Sequence, residues 1–212
     1  MGGLLVSVEG VEGSGKSTQC KRLVEALVAR GIPAVLTREP DGTELGTAIR
    51  EQFSADRPLP TPLAQAFLFA AARQQHVAEV IRPALAGGAV VVTDRYADAT
   101  LAYQGHGQGV ALEVIRDLNV LATGGLFPDL TILLDLDPAA GMARISGRSH
   151  DALERLDLAF HRRVRDGYLE IARADKQRVV VLSAEQAPED LHRAILRVVE
   201  ERRSRRGAGR DG

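Results

Sequence analysis

Residues 9–18 read Glu-Gly-Val-Glu-Gly-Ser-Gly-Lys-Ser-Thr, "EGVEGSGKST". Gly10, four residues, then Gly15-Lys16-Ser17 satisfy the Walker A spacing, in which backbone N–H groups curl around phosphate oxygens because glycine tolerates the close approach and the dihedrals. In such a loop Gly10, Val11, Glu12, Gly13, Ser14 and Gly15 wrap the phosphates, Lys16 reaches the β and γ phosphates, and Ser17 offers a hydroxyl to Mg²⁺. Ser17 and Thr18 open a helix whose N-terminal N–H groups and positive dipole end face the same anion. Working outward, Leu4-Leu5-Val6-Ser7-Val8 reads as a short buried strand, and Cys20, Leu23, Val24, Leu27 and Val28 recur at helical spacing. Strand, loop and helix thus follow in the order a nucleotide phosphate site requires. Only three lysines occur in the chain, and Lys16 is one of them.

The same alternation continues. Further strands are expected at 34–37, 89–93, 130–134 and 179–182, separated by helices over about 43–53, 62–86, 111–122, 138–146, 153–174 and 188–203. This pattern predicts an α/β fold of the P-loop NTPase type: a five-stranded parallel sheet with helices on both faces. Active groups then gather at the carboxyl ends of the strands. A chain of 212 residues, 45% of them hydrophobic, suits one core, so residues 1–203 are expected to form a single domain. The arginine- and glycine-rich residues 204–212 lack apolar periodicity and read as a disordered basic tail.

A net charge of −1 gives no global attraction to nucleic acid or an anionic membrane, and neither is expected as a partner. The single Cys20 cannot form an internal disulfide, and no apolar run approaches the roughly 20 residues needed to cross a bilayer. The chain leads directly into a strand without a signal-type segment, so a cytoplasmic location is expected.

A phosphoryl-transfer enzyme brings two anions together, which directs attention to cations at other strand ends. Strand two ends in Thr37-Arg38-Glu39-Pro40-Asp41-Gly42-Thr43 and strand three in Thr93-Asp94-Arg95-Tyr96. Each arginine emerges on the edge that carries the Walker loop, where its planar fork suits an acceptor phosphate. Asp94 stands where a Mg²⁺-orienting carboxylate would stand, and a helix cap is the other reading of it.

At this point the chain resembles the thymidylate kinase family, the enzymes that phosphorylate dTMP to dTDP with ATP on the way to dTTP. The resemblance spans nearly all of residues 4–200 and is carried by "EGVEGSGKST", "TREPDGTELG", "FLFAAARQQHV", "DRYADATLAYQG", "PDLTILLDLDP" and "FHRRVRDGYLEIA". It implies a nucleoside monophosphate kinase-like fold, Mg²⁺ and ATP, dTMP as small-molecule substrate, and a homodimer formed through helices. It further implies that Arg38 and Arg95 bind the dTMP phosphate, that Phe69 stacks on thymine and that Arg73 contacts the base edge. Phe69 and Arg73 are four residues apart and share a helical face, so the implication has a physical basis of its own. Thr100, Tyr103 and Gln104 match the residues that read the thymine edge and underlie the deoxyribose. Glu12 matches a carboxylate beside the acceptor sugar.

Residues 144–154 correspond to the family's lid, with Arg144 on the nucleotide side. Gly13 stands where one subgroup carries a loop arginine, which implies that the catalytic arginine here comes from the lid. The family's lid ends in Asp-Arg-x-Glu, whereas this chain reads Asp151-Ala152-Leu153-Glu154. Arg148 is the expected substitute, Arg144 the next, and Arg155 only if the following helix begins elsewhere than expected. Asp41 replaces the family's usual glycine, a milder departure because aspartate tolerates the left-handed conformation better than most residues. The rival readings are another nucleoside or nucleotide kinase, and a nucleotide-gated switch. The absence of an Asn-Lys-x-Asp motif weighs against a guanine-reading switch.

Overall fold

Leu4 to Glu9 form strand β1, and all six side chains are buried, as a central strand covered on both faces requires. Leu4, Val6 and Val8 face one core with Leu23 and Leu27, while Leu5 faces a second core with Val91, Val77 and Ile81. The structure, a computed structural model, describes residues 2–147 and 151–208. Four more parallel strands flank β1: β2 (Ala34–Arg38), β3 (Val90–Asp94), β4 (Leu130–Asp135) and β5 (Val179–Ser183), in the order β2-β3-β1-β4-β5. The expected five-stranded parallel α/β sheet is therefore present.

Register decides where the chemistry collects. Arg38 lies beside Asp94, and Asp94 beside Val8, so the ends of β2, β3 and β1 come level just where the glycine loop leaves β1. Helix α1 (Lys16–Ala29) follows that loop, with α2 (Glu44–Arg50), α3 (Pro62–His76) and α4 (Arg82–Ala86) before β3. After β3 come α5 (Ala97–Thr100), α6 (Leu112–Thr123), α7 (Pro138–Ile145), α8 (Leu158–Ala174) and α9 (Pro188–Ala208). Among the described residues no helix is long and apolar enough to cross a membrane.

Four boundaries differ from expectation, each for a local reason. The helix expected over 62–86 contains a π-helical turn at Val77–Ile81 before α4. Pro83 follows it, and a wider turn relieves the missing N–H and the ring's clash with the preceding turn. Leu101–Gly107, which fall between the helices expected over 62–86 and 111–122, form a π-helical continuation of α5. Gly105 and Gly107 sit there because a Cβ would run into Leu112 and Phe160 respectively. Helix α8 starts at Leu158 rather than near 153, because the Asp157 carboxylate caps it by accepting from Phe160 N at 2.7 Å. Finally, α9 runs on past the expected end at 203 to Ala208: Arg206 pairs with Asp129, and Arg202 Nη1 donates to the Asp129 carbonyl at 2.7 Å. Residues 209–212 lie outside the described residues.

Candidate active site

The loop between β1 and α1 takes its shape from glycine. Gly10, Gly13 and Gly15 all have positive φ, 142°, 71° and 90°. Gly13 also lies against α7, where a Cβ would collide with the Gly141 carbonyl, so a larger residue at position 13 has no room. Lys16, buried under the loop, donates from Nζ to the carbonyls of Gly10 at 2.9 Å and Val11 at 2.8 Å. Arg144 of α7 spans the loop's outer side, donating to the carbonyls of Gly13 at 3.3 Å and Ala184 at 3.1 Å.

Ser17 Oγ donates to Asp94 Oδ2, and the second carboxylate oxygen, Oδ1, is buried without a hydrogen-bond partner. A hydroxyl and a carboxylate with an unsatisfied oxygen, beside a phosphate loop, form a donor set that fits Mg²⁺, which binds through few protein groups plus phosphates. Among the described residues no cluster of three or more His, Cys, Asp or Glu side chains offers an all-protein site.

Two adjoining cavities meet at this edge. The first, about 1040 Å³ and open to solvent, is lined by Gly13, Gly15, Lys16, Ser17, Thr18, Arg38, Asp94 and Arg144. The second, about 590 Å³, is lined by Phe69, Arg73, Thr100, Tyr103 and Gln104. Glu12, Glu39, Arg50, Arg95 and Asp151 border both. Of the residues singled out from the sequence, Gly10, Val11, Ser14 and Arg155 line neither cavity, although Gly10, Val11 and Ser14 belong to the loop beside the first; Arg148 lies outside the described residues, as does His150.

At the junction, Arg95 Nη2 pairs with Glu12, and Tyr103 Oη donates to Glu12 Oε1 at 2.7 Å. Burial would raise the Glu12 pKa, but the charges of Arg95 and Lys16 and the Tyr103 hydrogen bond overcome it and hold the carboxylate well below its ordinary range. Glu12 is therefore a fixed negative charge. Lys16 is lowered, by burial first and then by Arg95, with Glu12 opposing. The Arg95 guanidinium lies 5.4 Å from the Tyr103 ring centroid, and Phe160 and Tyr168 pack edge-on against the same ring. Arg38 is half exposed and lies 3.3 Å from Asp41.

Deeper in, Phe69 and Arg73 do share one face of α3. Phe53, which the sequence reading missed, stacks on Phe69 with centroids 4.6 Å apart and planes 17° from parallel. Arg73 is almost wholly buried: Nε donates to Glu39 Oε2 at 2.9 Å, Nη1 to Asn119 at 2.7 Å and Nη2 to Thr100 at 3.0 Å. Gln104 Nε2 donates to Gln65 at 3.1 Å. Glu39 also faces His76, whose other ring nitrogen meets Thr37 Oγ1 at 2.6 Å.

Arg50 was missed as well. It reaches Asp151 at 3.2 Å and lies 3.9 Å from Asp41, tying the segment after residues 148–150 to the loop that follows Arg38. Ala152 N donates to the Phe53 carbonyl at 2.9 Å, and Leu153 packs with Ile49, Phe53 and Phe69. Arg155 points away, donating to the Ala55 carbonyl at 3.2 Å. Spacing could have flagged Phe53 and Arg50 only as partners on a common apolar and polar face; their meeting across the loop is tertiary.

Known proteins carry the same framework. A model of the family described as thymidylate kinase matches residues 8–195. A protein named thymidylate kinase from Deinococcus radiodurans is 48% identical over 201 residues, 94% of this chain and 98% of that protein. Another of that name, from a Synechococcus strain, is 49% identical over 208 residues, 98% of this chain and all of that protein. The crystal structure of thymidylate kinase from Ehrlichia chaffeensis superposes with a TM-score of 0.77 at 33% identity, covering 94% of this chain and 99% of that one. With a family match over most of its length and near-full-length relatives close to half identical, the chain belongs to the thymidylate kinase family.

Proposed function

We propose that the protein transfers the γ-phosphoryl group of ATP to the phosphate of dTMP, giving dTDP and ADP. The observation that carries this reading is the pair of cavities sharing one wall of Glu12 and Arg95: a glycine loop with Lys16 on one side, an aromatic slot closed by a buried arginine on the other.

The loop amides and Lys16 grip the ATP phosphates, and Arg144 flanks them from α7. Arg38 and Arg95 hold the acceptor phosphate, so that its oxygen points along the line of transfer. Phe69, backed by Phe53, stacks on the base. Arg73, with most of its donors already engaged, presents a fixed remaining N–H to a base carbonyl, helped by Thr100 and Gln104. Tyr103 underlies the sugar, and Glu12 keeps both Tyr103 and Arg95 in place. Ser17 and Asp94 would hold Mg²⁺, which when bound offsets charge on the phosphates. No side chain needs to form a covalent bond, because alignment and charge neutralisation supply the rate. Arg148 is the lid arginine in this reading. Residues 1–203 act as one domain with its lid at 144–154, in the cytoplasm.

The working unit is a homodimer. Leu45 of α2, Leu63 and Phe67 of α3, and Leu121 of α6 are exposed on three helices that pack side by side, with Phe67 at 54% and Leu121 at 78%. A second copy laid on this face would cover them.

The test is ADP formation from ATP with Mg²⁺ and dTMP, dUMP, dCMP, dGMP, AMP or thymidine supplied separately, with each nucleotide product identified by chromatography. Preference for dTMP is expected. Phosphorylation of thymidine alone would remove Arg38 and Arg95 as acceptor-phosphate ligands.

A further inference from the structure

Glu9 is a fully buried carboxylate to which the proposed chemistry gives no task. It ends β1, one residue before the phosphate loop. Its Oε1 accepts from Ser7 Oγ at 2.7 Å and from the backbone N–H of Tyr96 at 2.7 Å, and its Oε2 accepts from Tyr168 Oη at 2.8 Å. The Tyr96 contact joins two strands' ends across 87 residues of sequence.

Its position matters because of the residue before Tyr96. Arg95 has φ 73°, and among the described residues it alone combines a side chain with positive φ. L side chains rarely adopt that conformation, so neighbouring bonds must impose it. Arg95 N donates to the Val8 carbonyl at 3.1 Å and the Arg95 carbonyl accepts from Thr93 Oγ1 at 2.8 Å. The next amide, Tyr96 N, is held by Glu9. These bonds turn the chain so that the Arg95 side chain points at Glu12 and Tyr103 instead of continuing along β3.

We infer that Glu9 is a positioning residue for Arg95: by accepting the Tyr96 N–H it fixes the left-handed turn that aims the guanidinium at the acceptor phosphate. This rests on the proposed role of Arg95. The side chain needs to present an oxygen at the right reach, and the charge is secondary. Burial together with Asp98 pushes the Glu9 pKa up to about 7, so the bond to Tyr96 has to serve both protonation states near neutrality. A glutamine oxygen meets the requirement, whereas an aspartate oxygen, one methylene shorter, does not.

The experiment measures dissociation constants of dTMP and thymidine for the wild-type full chain and for Glu9→Asp, Glu9→Gln and Glu9→Ala, with melting temperatures alongside. The readout is the ratio of the thymidine constant to the dTMP constant, which isolates the phosphate contact. Loss of fold or of base recognition would weaken both ligands and leave the ratio alone. Glu9→Asp and Glu9→Ala are expected to lower the ratio by about tenfold to a hundredfold, the scale of a misplaced reactive group. Glu9→Gln is expected to keep it. If Glu9→Ala does not fold, Glu9→Asp and Glu9→Gln still decide. An unchanged ratio in Glu9→Asp, or a fall in Glu9→Gln as large as in Glu9→Asp, overturns the inference. A wild-type ratio near unity would instead overturn the proposed binding of the acceptor phosphate.

Discussion

Arg95 stands between the two cavities because three separate strand ends supply its surroundings: Val8 and Glu9 from β1, Asp94 from β3 and Arg38 beside them from β2. Its place at a strand end was legible in the sequence, since Asp94-Arg95 follows the apolar run Ala89–Val92 and Thr93. Its left-handed backbone and its dependence on Glu9 were not, because both arise from contacts between residues far apart in the chain. Glu9 also sets a pH dependence of stability. Facing it are Asp98 from α5, Arg95 after β3, Tyr168 from α8, Lys16 from α1 and Ser7 on its own strand. Burial and Asp98 raise its pKa from the ordinary 4.5 to about 7, so the folded chain keeps a proton there that the unfolded chain releases. That stabilisation is complete below about pH 4.5 and is lost as pH rises through about 7. Glu9→Gln has no such loss, and comparing the two chains cancels the opposite contribution of Glu12. The melting temperature of Glu9→Gln minus that of wild type is expected to be larger near pH 8 than near pH 5. A difference that is flat or falls with pH would contradict the assignment.

Elements were readable where one local signal dominates. Short, largely apolar runs marked all five strands, and helical apolar spacing marked α1. Where helical pattern ran on, the cap decided the boundary: Asp157 stops the reading of a helix from 153 and starts α8 five residues later. The turn before it is closed reciprocally, Asp151 N to Glu154 Oε2 at 3.1 Å and Glu154 N to Asp151 Oδ1 at 2.9 Å. Replacing Asp157 by alanine leaves the Phe160 amide without its acceptor and is expected to cost about 1 kcal/mol, read from urea unfolding with an unchanged slope. No change in midpoint would show that the cap is idle. The π-helical stretch at Leu101–Gly107 escaped the sequence reading because its glycines resemble a loop, when they in fact serve close packing by α6 and α8.

At the scale of the molecule, alternation of strand and helix implied the parallel sheet, and the phosphate loop implied which edge would be active. The order β2-β3-β1-β4-β5 could not be read from periodicity, since every central strand is equally apolar. Nor could the sequence separate an apolar face turned outward from one turned inward; Leu121 and Phe67 needed the fold to be seen as exposed. Leu121→Glu is expected to shift the protein from dimer to monomer in sedimentation velocity, and a wild-type monomer would contradict the dimer outright. Asp151 to Leu153, at the end of the segment expected from the sequence to be a lid, are moored to Arg50 and the Phe53–Phe69 pair.

The most direct measurement supplies ATP labelled at the γ-phosphorus, with Mg²⁺ and dTMP, and follows the label in the wild type and in the Arg38→Ala, Arg95→Ala double variant. In the wild type the label is expected in the β position of dTDP, one for each ADP formed. The double variant is expected to lose about 10³-fold or more in kcat/KM for dTMP. Label appearing as inorganic phosphate in the wild type, or transfer to dTMP undiminished without the two arginines, would contradict phosphoryl transfer to an acceptor held by Arg38 and Arg95.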